Sequence, residues 1–131
     1  MSFSPELKQA LLLHAESGPR AVHQKQVELA RLLIEHGPPQ ARQQLELAEA
    51  FLSGKASAAE LKSAQQDCWT HVGSLACGCS PAESASGAAF LSCLDAEPAA
   101  HTPQALSEQV ERTLRAGGSE QAVLAVLASG Q

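Results

Sequence analysis

The sequence predicts an all-α protein: a compact single-domain array or bundle of about seven short-to-medium helices spanning residues 1–131. Three observations carry that prediction. The apolar fraction is 44%, yet aromatics are only 3%, Tyr is absent and Trp69 is the single tryptophan. Small and aliphatic side chains let helix axes approach closely, whereas a sheet draws on β-branched and aromatic residues. Helix start and stop signals recur at short intervals along the chain. Apolar residues fall at spacings of three and four, and no stretch keeps up a strand-like alternation.

Each element follows from its own signals. Ser4-Pro5-Glu6 opens a first helix with a cap, a preorganised Pro and an acid at the positive end of the dipole, and Gly18-Pro19 closes it. A second helix runs from about Arg20 to His36, with Val27, Ala30, Leu33 and Ile34 on one face and Gly37-Pro38-Pro39 as its stop. Ala41, Leu45, Ala48 and Leu52 form the stripe of a third, which ends at Gly54. Ser57-Ala58-Ala59-Glu60 is a capping box that opens a fourth, whose stripe reads Leu61, Ala64, Cys68, Val72 and Leu75. Ser80-Pro81-Ala82-Glu83 is a second capping box, followed by Ala85, Ala89 and Cys93 with Phe90, Leu91 and Leu94 beside them. Thr102-Pro103 starts a sixth helix with Leu106, Val110 and Leu114, which Gly117-Gly118 ends. Ser119 caps the last, which carries Ala122, Val123, Val126 and Leu127.

Charge sorts the chain into two halves. Through Lys62 acids and bases balance, whereas no Lys or Arg lies between Lys62 and Arg112, where Asp67, Glu83, Asp95, Glu97, Glu108 and Glu111 stand. The net charge of -5 therefore belongs to the second half. That balance argues against a nucleic-acid partner, whose phosphates need neutralising, and suits a protein partner with a basic surface. A solvated, solubilising face is the plainer account of the same acids. No membrane association is expected: the longest apolar run, Ala122 to Ala128, is far short of the roughly 20 residues of a bilayer span. The start, Met1 to Leu13, shows no basic cluster and no cleavage site follows, so a cytoplasmic location and reduced cysteines are expected.

Residues that could carry chemistry are few. Cys68, His71, Cys77 and Cys79 are the candidate metal ligands, because thiolate and imidazole suit zinc. Their spacing is poor for it: Cys77-Gly78-Cys79 leaves one residue between the thiols, and no second knuckle exists. Cys68 and Cys93 also fall on apolar stripes, where cysteine behaves as a small hydrophobe. No bound metal or cofactor is expected. His14, His23, His36, His71 and His101 belong to no motif, and surface or helix-capping roles are expected for all five. No nucleophile motif, phosphate loop or diagnostic pair of carboxylates is present, so no catalytic residue is assigned.

The stretch Leu45 to Trp69, LELAEAFLSGKASAAELKSAQQDCW, joins an acidic amphipathic helix to a capped, Ala-rich one through a Gly-containing turn. It resembles the small all-α immunity proteins of bacterial polymorphic-toxin systems, through Leu47, Ala48, Leu52, Gly54, Ala56, Glu60 and Leu61. The resemblance covers about a fifth of the chain. It implies a protein that binds and blocks a toxin, and it carries over no catalytic residue. The expectation is thus a non-enzymatic protein-binding domain, with Asp95, Glu97 and Trp69 as partner-binding residues. Asp95 and Glu97 lie in the Leu94-to-Thr102 connection, where Pro98 prevents a regular helix, and Trp69 borders the Cys68 stripe. The alternative is a helical adaptor or regulatory domain with metal- or redox-sensitive cysteines.

Overall fold

The structure, a computed structural model, describes residues 3–16, 18–34, 41–74 and 81–128. Among these residues it holds seven α-helices and no strand: α1 (Pro5–Leu12), α2 (Pro19–Arg31), α3 (Ala41–Leu52), α4 (Ala58–Ser74), α5 (Pro81–Cys93), α6 (Pro103–Arg115) and α7 (Glu120–Ala128). A single 3-10 turn, Pro98–Ala100, interrupts the connection from α5 to α6. The all-α prediction holds. No helix of the described residues is long and apolar enough to cross a membrane.

Local signals act where the sequence places them. Ser4 Oγ accepts from the Leu7 amide, Thr102 Oγ1 from Ala105 and Ser119 Oγ from Ala122. The Ser57 box closes in both directions: the Glu60 amide donates to Ser57 Oγ at 3.1 Å, and the Ser57 amide donates to Glu60 Oε1 at 3.2 Å. Gly54, with φ +82°, ends α3 in the left-handed region and lets the Lys55 amide reach back to the Ala50 carbonyl. Gly117 does the same after α6 with φ +102°. At Gly118 a Cβ would meet the Thr113 carbonyl oxygen at 2.9 Å, so the α6–α7 turn needs glycine there too.

Two boundaries differ from expectation. α1 stops at Leu12, where turns take over well before Gly18, and α2 stops at Arg31. The first difference exposes Leu12 and Leu13 and brings His14 against α7, where its Nε2–H donates to the Leu127 carbonyl at 2.7 Å. The predicted stop at Gly37-Pro38-Pro39 lies outside the described residues, as do Ser80 and the Glu83 side chain of the second capping box.

α2 is the central helix, in contact with α3, α5, α6 and α7. It divides the interior into two apolar clusters. On one side Val27, Ala30 and Leu33 pack with Leu45, Ala48, Leu61, Cys68, Ala89, Phe90, Cys93 and Leu94 of α3, α4 and the α5 region. On the other, Val22 and Leu29 pack with Leu7, Leu106, Val110, Val123 and Leu127 of α1, α6 and α7. Serving both clusters leaves α2 little solvent face, so its polar residues His23, Lys25 and Gln26 are buried as well. Lys25 meets this with a hydrogen bond from Nζ to the Val126 carbonyl and an ion pair with Glu28 at 3.3 Å. Its charge also suits the negative end of α7.

Candidate functional site

A polar seam runs between the two apolar clusters. The Gln26 carbonyl accepts from Cys93 Sγ at 3.2 Å and from Gln109 Nε2 at 3.3 Å, and Gln109 also donates to the Ala89 carbonyl at 3.1 Å. These bonds join α2, α5 and α6 through groups none of which reaches water. The seam surfaces at two stacked imidazoles. His23 and His101 lie with ring centroids 3.8 Å apart and planes 9° from parallel. His101 Nε2–H donates to the Asp95 carbonyl at 2.7 Å, and its Nδ1 lies 2.5 Å from the Gln26 side-chain amide. His23 Nε2–H donates to the Cys93 carbonyl at 2.6 Å.

The two rings form the floor of a cleft of about 210 Å³ walled by Pro19, Phe51, Leu52, Ala96 and Pro98, with Arg20 at its rim. Its parts are the start of α2, the end of α3 and the Leu94-to-Thr102 connection. Arg20 fastens the first two by donating from a guanidinium nitrogen to the Leu52 carbonyl, an orphan acceptor at the α3 C-terminus. Burial pushes the His23 pKa down to about 4, with the Cys93 hydrogen bond opposing part of that effect. His23 is therefore a neutral ring at physiological pH.

Of the expected partner residues, Asp95 and Glu97 lie on the connection that walls this cleft, and Trp69 is not among its lining residues. Glu97 is exposed, with no ion pair among the described residues. Asp95 is half-buried and structural: its Oδ1 accepts from the Glu97 amide at 2.9 Å, while its carbonyl holds His101. Trp69 is on α4, 60% exposed, so it covers little of the core. Glu108 and Glu111, the last acids of the base-free stretch, pair with Arg112 at 3.8 Å and Arg115 at 2.5 Å on their own helix. Among the acids of that stretch whose side chains are described, Asp67, Asp95 and Glu97 are left without an ion pair.

Among the metal candidates, Cys68 is buried under α5 and burial pushes its thiol up to about 11. The His71 side chain, Cys77 and Cys79 lie outside the described residues. Cys93 is buried too, and burial raises its thiol further. Both thiols are protonated at neutral pH and poor nucleophiles. No group of three or more His, Cys, Asp or Glu residues among the described ones is arranged to hold a metal ion.

The histidine expectation needs correcting. His23 and His101 are not surface residues: they are 2% and 3% exposed and belong to the seam, where His23 binds the last carbonyl of α5 and His101 ends the 3-10 turn. His14 does bind a helix end, but from a buried position. One signal for His23 was present: it continues the α2 stripe of Val27, Ala30 and Ile34 at spacings of four, three and four. Nothing local marked Arg20, Phe51 or His101, since only the fold brings them to one mouth. A second hollow of about 280 Å³ lies between α3 and α4, lined by Gln43, Gln44, Leu47, Ala64 and Asp67. Gln44 is buried there, and neither its Nε2 nor its Oε1 finds a hydrogen-bond partner among the described residues. No family model, curated protein or solved structure matches this chain.

Proposed function

We propose that this domain is a non-enzymatic protein-binding module that meets a basic partner across the His23–His101 cleft, and that it serves as a toxin-neutralising immunity protein. The observation that carries the reading is the setting of Glu97: an exposed carboxylate without an ion pair among the described residues, on a connection braced by Asp95 and bordering an apolar concavity. An apolar centre with a charged rim is the anatomy of a protein contact, in which the rim steers encounter and suppresses wrong partners. The immunity role rests on the Leu45-to-Trp69 resemblance. The cleft's imidazole weighs against catalysis, because a histidine with a pKa near 4 is a weak general base at neutral pH.

Glu97→Lys tests the steering term without disturbing the Asp95 brace, since the bonded Glu97 group is its backbone amide. Against the purified natural partner, the variant should associate more slowly, by about tenfold at low salt, with a flatter salt dependence and unchanged helix content. An unaltered on-rate and salt slope would make the acids a solubilising face and move the contact to Trp69.

A further inference from the structure

Residues 95–101, which join α5 to α6, are fastened to the rest of the molecule at very few points. Asp95, Ala96 and Ala100 are half-buried, Glu97, Pro98 and Ala99 are exposed, and His101 alone is buried. Most of their hydrogen bonds stay inside the segment. The Glu97 amide donates to Asp95 Oδ1, the Ala100 and His101 amides to the carbonyls of Glu97 and Pro98, and His101 Nε2–H to the Asp95 carbonyl. Among the described residues, the one hydrogen bond from this segment to another element is that of His101 Nδ1 with the Gln26 side-chain amide of α2. The same ring stacks on His23 of α2, 3.8 Å away and 9° from parallel. Beyond that the segment has a small apolar anchor, Ala96 against the first cluster. It is a strap, and its polar fastening to α2 is a single residue.

Both rings of the stack can take a proton, but not together. Two imidazolium ions would set like charges 3.8 Å apart with almost no water to screen them. Burial is the main force that keeps His23 neutral, lowering its pKa to about 4 from an ordinary 6.5. The Cys93 hydrogen bond and the Asp95 carboxylate work against that shift, and His101 works with it. Arg20 adds a positive charge to the same cleft, while α3 presents only the neutral Phe51 ring. We propose that the His23–His101 stack is an acid-released latch: protonation of both rings parts them and frees the strap from α2, opening the cleft while the helices stay packed. A released strap keeps little structure of its own, since an isolated 3-10 turn of three residues is not sustained without tertiary support. Ala96 and Pro98 then leave the cleft wall, and Glu97 leaves its place beside it. The latch stands on the fold alone, whereas loss of a partner on its release rests on the protein-binding reading.

Native-state hydrogen exchange on the whole chain tests it, at pH 7 and pH 5, corrected for the intrinsic rate at each pH and repeated at low urea concentrations. The reporters are the Ala100 and His101 amides, which close the turn of the strap, set against those of Leu29 and Val110 in the second cluster. A His23 that ionises near 4 when latched and near 6.5 when released makes opening about 20-fold more favourable at pH 5 than at pH 7. The strap amides should gain that factor with little urea dependence, the mark of a local opening, and should exchange faster than the core amides at both pH values. His23→Phe, which keeps a ring against His101 but cannot ionise, should remove most of the response. Strap amides that exchange only together with the core, on the same urea slope, would show the rings titrating on global unfolding and overturn the latch. Equal strap exchange at the two pH values would overturn it as well, and so would a full response surviving His23→Phe. Should that variant fail to fold, the urea slopes of the unaltered protein still decide. None of these outcomes depends on how Glu97→Lys affects partner association, so the latch and the partner reading fail separately.

Discussion

Gln109 and Gln44 are both glutamines held beneath the surface, in regions that treat a buried amide differently. At the seam between α2, α5 and α6, Gln109 Nε2 finds the carbonyls of Gln26 and Ala89, while its Oε1 has no partner among the described residues. Between α3 and α4, Gln44 finds no partner among the described residues for either amide atom. The seam is where three helices meet with their polar groups converging, and a network there fixes which faces are apposed. The α3–α4 interface has no such convergence, and its amide costs stability without specifying anything. A buried polar residue is informative about architecture only through what it bonds.

The largest expected effect comes from the seam's outer edge. His23 has its pKa lowered to about 4 in the folded protein against 6.5 in the unfolded chain, so on acidification the unfolded chain takes up the proton first. Its contribution is complete above about pH 6.5 and is lost as pH falls toward 4, amounting to about 3 kcal/mol. Urea midpoints should therefore drop between pH 7 and pH 5, before most carboxylates titrate. A flat profile over that range would mean the ring is not sealed as described.

Gln109→Leu should come next, at about 1 kcal/mol of destabilisation, because two buried carbonyls lose their amide donor and keep only the Cys93 thiol as a side-chain donor, a loss that removal of the unpaired Gln109 Oε1 offsets in part. Chemical denaturation measures it, and a neutral result would show the seam to be no better organised than the Gln44 hollow. The smallest effect has the opposite sign. Gln44→Met keeps length and removes two unsatisfied groups, so thermal stability should rise by about 1 kcal/mol. A loss on that substitution would reveal a partner for the amide and erase the contrast between the two regions.

The elements were legible because their signals are local. A cap, a stop or a stripe involves residues within a turn or two, and the Ser57–Glu60 box and the glycines at 54 and 117 act where the chain places them. The burial of Cys68 and Cys93 was legible for the same reason: each lies on an apolar stripe. What the sequence by itself determined, then, is the all-α class, the seven helices, most of their apolar faces and the concentration of net charge in the second half. Their boundaries were less secure, as the early ends of α1 and α2 show, since a helix continues only while tertiary contacts repay its ordering.

Only the tertiary structure decided the site. His101 and Gln26 are 75 positions apart, and Cys93 meets Gln26 across 67. On isolated helices a histidine or glutamine among polar neighbours reads as solvent-facing, because each could be solvated there at no cost. The fold removes that option for much of α2 by packing apolar clusters on both its sides, so its buried polar side chains find partners in α5, α6, α7 and the connection between α5 and α6. That requirement stacks His23 on His101 beneath a cleft and assigns Asp95 to bracing while Glu97 remains exposed beside it.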